Sequence, residues 1–529
     1  MVHRYEVTHL LPKIPSAANA GVITRVFNAA LTMNDDGGNV HAYLAESLPQ
    51  LNSDSWIVTP DGRMDTTYRL RPGLTWHDGH PMDAEDFVFA WRVYTNPSLP
   101  VMALGPQRQM QEVVAVDPRT LLIRWRSPYP SAGNIQSGEF DPLPRHVLER
   151  SFASLEQNPG EADAFLGQPA LKGEYIGAGP YRLVRWEPGS YFEGVAFDGH
   201  ILGRPKIDQV VVKVMGDDSV ILTNLLAGTM DWAQLRFEQG LVLQREWERA
   251  GKGTVYFPRA SLPHYWVQHR PDIVGHPALQ DIRVRRAIAH SLDRQAVSDG
   301  VYDGQGLITD TMVPRSEPFY PDVDRAVMHY QYDPRRSEQL MNEAGYSKDR
   351  DEFFANASGE RYWLDFQTVA GSEFERTQLI MVDSWQRVGF ELRPTVLPVA
   401  QITPGEPRHV FPGIATKGGA LSERHFTSAE VGSPSNRWTG ENRAGWSNAE
   451  YDQLWDTLST TLEGSERTRL FVQMQRLISE QIPVMYTHFA ITPEAHVSSL
   501  RGPTAPNTGT GTFTATTLNN WNIHQWEWK

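Results

Sequence analysis

Three potential metal ligands lie within four residues of one another, at His77, Asp78 and His80. Imidazole and carboxylate groups also act as general acids and bases, so this turn could hold a metal ion or transfer protons. A zinc site would need a further ligand from elsewhere and hydrogen bonds that orient the imidazoles. The third interpretation, a purely structural corner, requires only that the flanking segments form regular elements.

The flanking segments do read as a strand and a capped helix. From Tyr68 to Trp76, apolar and polar side chains alternate around a Pro-Gly break, as in a half-buried extended segment. Asp83 is a natural helix N-cap, and Asp86 follows at a position where the helix dipole favours a carboxylate. Apolar residues at helical spacing begin with Phe87. We therefore expect a strand, a tight turn and a helix, with the turn as a structural corner.

No catalytic motif accompanies this turn. The sequence has no G-x-S-x-G elbow, no H-E-x-x-H, no Walker loop and no G-x-G-x-x-G that opens a helix. The adjacent carboxylates Asp217 and Asp218 suit a helix cap better than an acid–base pair. We expect a protein that is not an enzyme. The alternative is a cleft enzyme such as a glycoside hydrolase, which needs two carboxylates about 5–10 Å apart.

Composition narrows the class of protein. A chain of 529 residues exceeds the roughly 250–300 at which single cores stop growing, so we expect two or three lobes. The formal net charge of −14 argues against a general nucleic-acid binder. The absence of cysteine excludes disulfides and thiol sites, and it is typical of an oxidising compartment. No motif calls for a cofactor, and we expect none.

Neither a membrane span nor a secretion signal is recognisable in the sequence. No run of about 18 apolar residues occurs. The start, MVHRYEVTHLLPKIPSAANAG, lacks a basic region followed by an apolar one. We expect either a cytoplasmic protein or a chain that starts after a removed leader.

Strand-then-helix units recur and predict a mixed α/β fold. A β-branched run from Val210 to Val214 predicts a strand, followed by a helix that ends before Gly228. The apolar face predicted for this helix is made of four residues, Val220, Ile221, Leu225 and Leu226. In a second unit, Gly389 ends a helix before a strand. Its predicted inward face is Leu379, Val382, Trp385 and Val388.

Two further helices are predicted in this part of the chain. Residues 334–344 read as a helix with Asp333 as its cap and Pro334 at its first position, ending before Gly345. Residues 280–300 read as one long amphipathic helix capped by Asp281, with Arg294 facing outward.

The run LRPGLTWHDGHPMDAEDFVFAW closely resembles the signature of the family 5 extracellular solute-binding proteins. These are the dipeptide- and oligopeptide-binding subunits of ABC importers. Three more blocks match the family in order, namely GAGPYRLVRWEPGS, RPKIDQVVVKVMGDDSVILTNLLAGTMDWA and LQDIRVRRAIAHSLDRQAV. Later segments, SNAEYDQLWDTL and ISEQIPVMYTH, are also similar, so the resemblance spans nearly the whole chain.

The resemblance implies an α/β, periplasmic-binding-protein-like two-lobe clamshell with an extra subdomain in the first lobe. The matching blocks assign residues 1–40, 175–262 and 490–529 to the first lobe, 41–174 to the extra subdomain and 263–489 to the second lobe. The two crossings between lobes then fall near residues 261–263 and 487–489.

The implied function is that of a substrate-binding subunit at the periplasmic or extracellular face of the membrane. As a monomer, it would close on a peptide-like or other mid-sized polar solute and deliver it to the importer's permease subunits. An oligosaccharide is the alternative solute, because aromatic faces stack on sugars and the chain has 16 Trp. A nickel-type ligand near His409, His425 and His488 is a further option.

By resemblance, the cleft would draw ligand-binding residues from a first-lobe helix, from the strand after the first crossing and from a long second-lobe loop. They are Phe27, Asn28, Tyr265, Trp266, Gln268, Glu423, Arg424, His425, Trp438 and Trp446. Because Tyr265 and Trp266 alternate on a predicted strand, one of them should face the core.

The long loop departs from the family pattern at one position. Peptide-binding members typically carry an Asp there that holds the ligand's α-ammonium. The comparable stretch, GIATKGGALSERHFTSAEVG, has no Asp, although Glu423 or Glu430 could substitute. A peptide ligand would then need one of these glutamates to hold its α-ammonium group.

Overall fold

The computed structural model describes residues 1–4, 7–11, 13, 22–101, 105–398, 401, 405–417, 421–436, 438–504 and 520–529. Within them the strands form several separate sheets, and five clusters of buried apolar side chains lie between sheets and helices. No helix in these ranges has the length and apolar character needed to cross a bilayer.

One sheet joins the N-terminus to residues near position 200. Its strands, in spatial order, are Val2–His3, Gln209–Val214, Tyr191–Ala196 and Tyr181–Glu187. The first pair is parallel and the other two pairs are antiparallel. Phe192 and Val212 point into one apolar cluster with Phe27 of the helix Val22–Phe27.

A second sheet brings the C-terminal part of the chain back to this region. Strand Glu494–Val497 lies between Trp232–Gln234 and Gly253–Tyr256 and is antiparallel to both. The helices Asp218–Leu226 and Phe237–Ala250 contribute apolar side chains to the same cluster as Ala495. Residues 494–497 thus pair with residues 232–256, as expected if the C-terminal segment returns to the first lobe.

The predicted extra subdomain contains an antiparallel sheet of its own. The strands, in order, are Trp56–Val58, Met64–Arg69, Thr120–Trp125 and Met110–Asp117. Helix Ala84–Thr95 has the predicted cap, because Asp83 and Asp86 form a capping box. Phe89 of this helix packs edge-on against Phe152 of helix Arg145–Gln157, with ring centroids 5.5 Å apart.

The predicted second lobe is built on a five-stranded sheet. Its strands, in order, are Glu391–Leu397, Trp363–Val369, Ile414–Lys417, His264–Val267 and Val484–Tyr486. The first three run parallel, and the last two are antiparallel to their neighbours. The carboxyl ends of the three parallel strands therefore meet at one edge, the side on which open α/β sheets bind ligands.

Three short strands lie where the chain passes between the two predicted lobes. Strand His488–Ile491 pairs antiparallel with Arg259–Ser261 on one side and with Leu307–Ile308 on the other. Both predicted crossings fall at this small sheet. The exact domain bounds stay a prediction.

The remaining elements complete the lobes. The other helices are Ala162–Leu166, Ile282–His290, Arg294–Tyr302, Tyr320–Ala326, Pro334–Glu343, Ser372–Val388, Ala449–Thr460 and Gly464–Gln481. The other strands are Thr32–Asn34, Val40–Ala42, Tyr346–Lys348, Phe354–Asn356, Leu500–Arg501 and Glu527–Trp528. The predicted caps at Asp217 and Asp333 and the predicted end before Gly389 are confirmed.

The single long helix predicted over residues 280–300 is wrong. The chain breaks after His290, and Asp293 caps a new helix by accepting from the Ala296 N–H at 2.9 Å. Arg294, expected outside, is buried and donates to the carbonyl oxygens of Tyr486 and Tyr330 at 2.8 and 2.7 Å. A polar residue within an apolar pattern can thus restart a helix.

Two predicted apolar faces are narrower than expected. Leu379 is 67% exposed, although Val382, Trp385 and Val388 of the same helix are buried. Val220 and Leu226 are likewise exposed, and only Ile221 and Leu225 of their helix face the core. Residues at the edge of a helical stripe turn towards solvent when a single neighbouring layer covers the helix.

Candidate functional site

The turn at residues 77–80 is a structural corner. His77 Nδ1 accepts from the Gly177 N–H at 3.2 Å, so Nε2 carries the proton and donates to the Gly179 carbonyl oxygen at 3.0 Å. Burial lowers the pKa of His77 to about 4, which keeps the ring neutral. Asp78 lies 2.7 Å from His146 Nε2, and His80 stacks on that imidazole at 3.9 Å between ring centroids.

A metal centre finds no support in the described part of the chain. No group of three His, Asp or Glu side chains there is arranged to hold a metal ion. His409 packs against Trp438 in a tilted arrangement, His425 belongs to a helix cap and His488 packs edge-on to Tyr302. The nickel option suggested by these three histidines therefore lacks a ligand cluster.

A small recess lies at the carboxyl edge of the second-lobe sheet. This sheet-edge recess has a cavity volume of about 30 Å³. Its lining includes Trp266, Thr368, Leu397, Arg408, Thr416 and Arg443. A water needs about 10–15 Å³ on this measure, so the recess accepts one or two water-sized polar groups. It combines the ends of parallel strands with side chains from the long loop.

Four residues that line the sheet-edge recess have a buried polar side-chain atom without a hydrogen-bond partner in the described ranges. They are Trp266 (Nε1), Thr368 (Oγ1), Thr416 (Oγ1) and Arg443 (Nε). The strand register places Thr368 and Thr416 on the Tyr265 face of the sheet and Trp266 on the opposite face. An unpaired buried polar group costs about 1–3 kcal/mol, so a partner on either face would be stabilising.

Two arginines, Arg408 and Arg443, line the sheet-edge recess. Burial lowers the pKa of Arg443 to about 10, with Glu441 opposing the shift and Arg408 adding to it. Arg443 therefore remains cationic near neutral pH. Its Nη2 lies 3.2 Å from Glu441 Oε2, and none of the described side chains that line the recess is acidic.

Arg270 holds the long loop that carries Arg443. It donates from Nη1 to the carbonyl oxygens of His409 and Arg443 at 2.8 and 3.2 Å, and from Nη2 to that of Gly432 at 3.0 Å. Gln268, predicted as a ligand contact, donates to the carbonyl oxygens of His409 and Phe411 at 3.1 and 2.8 Å. Its amide group thus anchors the loop.

The two aromatic residues predicted after the first crossing lie on opposite faces of their strand. Tyr265 is buried edge-on against Phe366, with ring centroids 6.0 Å apart. Trp266 packs on Phe426 at 5.2 Å and lines the sheet-edge recess. The structure thus places Tyr265 in the core and Trp266 at the candidate site.

The predicted loop residues are dispersed. Arg424 donates from Nε and Nη2 to Glu430 Oε1 at 2.8 and 2.6 Å. Burial raises the pKa of Glu423, whose carbonyl oxygen accepts from Tyr451 OH at 2.7 Å. Trp446 is buried edge-on against Tyr451, with ring centroids 5.1 Å apart. Neither Glu423 nor Glu430, the candidate substitutes for the missing Asp, is among the residues that line the recess.

The two predicted first-lobe residues are buried among neighbours. Phe27 is fully buried in the apolar cluster under the first sheet. Asn28 Oδ1 accepts a hydrogen bond from Tyr175 OH. Direct ligand contact by either side chain stays a prediction, as it does for the rest of the predicted set.

Sequence reasoning missed a buried charged cluster at Lys13, Glu139 and Asp141. Burial raises the pKa of Glu139 to about 7 and that of Asp141 to about 6, and it lowers the pKa of Lys13 to about 8. The Gly138 N–H donates to Asp141 Oδ2 at 2.6 Å, and the Gln136 N–H to Glu139 Oε2 at 3.1 Å. Lys13 lies over 120 positions away in sequence, so no local pattern could reveal the cluster.

Tyr129 feels the charges both of this cluster and of the second-lobe loop. Burial raises its pKa, the charge of Glu139 adds to the shift, and Arg424 opposes it. Leu462 of the second-lobe segment also packs against the subdomain core. Side chains of the two predicted lobes therefore approach one another here.

A second meeting point lies near the crossings. Arg236 Nη1 lies 3.6 Å from Glu373 Oε2, and Arg376 forms an ion pair with Glu238. Phe237 packs edge-on against Tyr302, with ring centroids 5.2 Å apart. Charged and aromatic contacts thus link the first-lobe helix Phe237–Ala250 to second-lobe elements.

Comparison with known proteins identifies related sequences and structures. Residues 44–419 match the model of a family described as bacterial extracellular solute-binding proteins, family 5 Middle. The oligopeptide-binding protein AppA of Bacillus subtilis is 22% identical over 494 residues, covering 91% of this chain and 84% of its own.

Two solved structures show the same fold with different ligands. An oligopeptide-binding protein from Thermus thermophilus, complexed with a pentapeptide, has a TM-score of 0.78 at 20% identity and covers 98% of this chain and 93% of its own. NikZ from Campylobacter jejuni, in complex with Ni(L-His), has a TM-score of 0.78 at 19% identity, covering 99% and 98%. These likenesses confirm the α/β two-lobe fold.

Proposed function

This chain belongs to the bacterial extracellular solute-binding proteins of family 5, and from that premise we propose that it is the substrate-binding subunit of an ABC importer. It captures a peptide-like or other mid-sized polar solute between its lobes as a monomer, outside the cell membrane. It then presents the solute, chemically unchanged, to the permease subunits.

The observation that carries this proposal is the sheet-edge recess. It lies at the carboxyl ends of parallel strands, which is where open α/β sheets bind ligands, and several of its lining residues carry buried polar atoms without a partner among the described residues. The long second-lobe loop supplies Arg443 to this recess. Closure requires that a solute held there also touch the first lobe, because a ligand shifts an equilibrium only by its differential affinity.

The similarity to known solute-binding proteins does not identify the solute, because the relatives are described with different ligands. AppA is described as an oligopeptide-binding protein, whereas NikZ was solved with Ni(L-His). An oligosaccharide remains the alternative solute, and a cleft enzyme such as a glycoside hydrolase the alternative from another class. The same experiment separates all three.

The test is a thermal-shift screen against short peptides, oligosaccharides and metal–amino-acid complexes, followed by mass analysis of each hit. A binder present at about 100 times its Kd should stabilise the protein by about 2.7 kcal/mol. We expect one class of solute to bind at a 1:1 ratio, to reduce the radius of gyration in solution scattering and to be recovered intact. Chemical conversion of a hit by catalytic amounts of protein, or no binder in any class, would refute the proposal.

A further inference from the structure

We propose that two reciprocal ion pairs beside the crossings form a charged latch, which holds the predicted lobes together and weakens as ionic strength rises. In one pair Arg236 of the first lobe faces Glu373 of the second, and in the other Arg376 of the second lobe faces Glu238 of the first. This inference goes beyond the proposed function, because it concerns the open–closed equilibrium of the chain itself and holds for any solute.

The first argument is the place of the charged latch in the fold. Helix Ser372–Val388, which carries Glu373 and Arg376, begins three residues after the end of strand Trp363–Val369. Val369 lines the sheet-edge recess, so this helix begins at the same edge of the second-lobe sheet as the recess. A rotation that opens the lobes at this edge would draw the partners of the charged latch apart.

The second argument is that Arg236 has a carboxylate partner in each lobe. Its Nη1 lies 3.6 Å from Glu373 Oε2 in the second lobe, and its Nε lies 3.7 Å from Asp218 Oδ2 in the first. Arg236 can therefore release Glu373 without losing every partner. This arrangement keeps the cost of opening low, so the charged latch can be made and broken.

The third argument is that neighbouring aromatic rings hold the charges in position. Tyr302 donates from its hydroxyl to Glu373 and packs edge-on against Phe237, with ring centroids 5.2 Å apart. Phe237 lies between Arg236 and Glu238 in sequence and is buried in a cluster made mostly of second-lobe side chains. One apolar side chain therefore fixes the two charges beside it opposite their partners.

The fourth argument is that the contact around the charged latch is open to water. Its four side chains are between 23% and 51% exposed, and they line a cavity of about 20 Å³, enough for one water molecule. Exposed ion pairs are weak and are screened by salt, because the Debye length falls from about 10 Å at 0.1 M to about 3 Å at 1 M. The charged latch can therefore shift the balance between open and closed forms without locking either.

The test measures the distance between the lobes by single-molecule fluorescence energy transfer in the chain without solute. The protein has no native cysteine, so dyes attach only to Ala250→Cys in the first lobe and Ala357→Cys in the second, both at exposed positions. We expect two populations, with the closed-to-open ratio falling about threefold between about 0.05 M and 1 M NaCl. Arg376→Gln should lower the ratio by about the same factor at low salt and should respond less to added salt.

Matched variants separate the charged latch from a mere change of net charge. Arg387→Gln removes an exposed arginine from the same helix, where it pairs with Asp383 within the second lobe, and should behave as wild type. Arg376→Glu should open the lobes further than Arg376→Gln, because like charges then face each other at Glu238. Adding Glu238→Arg should restore the closed population, a rescue that a folding defect could not produce.

The outcomes distinguish this inference from the proposed function. A lobe distance that neither salt nor Arg376→Gln moves would overturn the charged latch while solute binding stands, and so would a double variant that stays as open as Arg376→Glu alone. Equal shifts in Arg387→Gln and Arg376→Gln would assign the effect to net charge and would also overturn it. Failure of the thermal-shift screen would refute the proposed function alone, because the lobe distance is measured without any solute.

Discussion

His77 donates from Nε2 to the carbonyl oxygen of Gly179, 3.0 Å away, and thereby ties the extra subdomain to the segment that follows it 102 positions later. The Gly177 N–H completes the contact by donating to Nδ1. Gly177 and Gly179 both lie against the backbone of Phe27, where a Cβ would meet it at 2.1 and 2.4 Å. One imidazole therefore links three segments of the first lobe.

Replacing His77 by alanine should destabilise the protein by about 1–3 kcal/mol, because the Gly177 and Gly179 backbone groups would lose their partner. The measurement is the free energy of unfolding in denaturant. His80→Ala in the same turn is the control, and it should change stability by less than about 0.5 kcal/mol since His80 is exposed. Equal losses in both variants would contradict the linking role of His77.

Glu494 makes stability fall as pH rises from 4.5 towards 8. Burial raises its pKa from 4.5 to about 8, so its contribution is fully present below pH 4.5 and is lost as pH rises through 8. Between pH 6 and pH 9, the unfolding free energy of the wild type should therefore fall by over about 1 kcal/mol more than that of Glu494→Gln. Parallel curves for the two proteins would show that this carboxyl is not responsible.

His200 should act in the opposite direction, in acid. Burial, with Arg25 adding to it, lowers its pKa to about 3, so the neutral ring is favoured in the fold. Stability is complete above pH 6.5 and declines as pH falls towards 3, by up to about 1.4 kcal/mol per pH unit for one proton.

The variant His200→Gln tests this acid dependence by chemical denaturation between pH 7 and pH 4. It should be less stable than wild type at pH 7, because Nε2 lies 2.9 Å from Tyr43 OH and Nδ1 2.8 Å from the Gly203 carbonyl oxygen. Its stability should nevertheless depend less on pH over this range. A slope as steep as that of the wild type would rule His200 out as the source.

Gly445→Ala should destabilise the protein by over about 1 kcal/mol and weaken solute binding. Its φ is +68°, and an added Cβ would meet Arg270 Cγ at 2.5 Å, which would disturb the brace behind Arg443. Gly464→Ala, at the first position of helix Gly464–Gln481, has no atom within 4 Å of the new Cβ. In a thermal melt, Gly464→Ala should have the stability of the wild type or exceed it by up to about 1 kcal/mol. A similar loss of stability in both variants would contradict the role of Arg270 in holding the loop.

Features that depend on neighbouring residues, such as helix caps, are predicted correctly from the sequence. Asp83, Asp217 and Asp333 cap helices in the structure as their positions indicate, since each accepts from backbone N–H groups in its own first turn. The ordered blocks predict the family and the two-lobe fold, because they record a whole topology at once. The break before Asp293 was missed because the apolar pattern continues across it.

The chemistry of the candidate site depends on long-range packing and was harder to predict. The loop region that contains Arg443 is predicted to carry ligand contacts, yet no pattern marks that arginine as buried or as lining the same recess as Thr368, 75 positions earlier. Trp446 is a predicted ligand contact, but it is 3% exposed in the core. An alanine there would remove core packing at a cost of about 3–5 kcal/mol, which would obscure any effect on binding.

Strand His488–Ile491 is hydrogen-bonded to Arg259–Ser261 and to Leu307–Ile308 at the same time. Hydrogen-bonded strands twist more readily than they slide along one another. Displacement of the backbone at one crossing would therefore displace the backbone at the other. Closure of the predicted lobes would therefore be a rotation that bends both passages of the backbone together. Under the proposed function, substitutions in this small sheet, far from any ligand, would then change how tightly the closed form holds its solute.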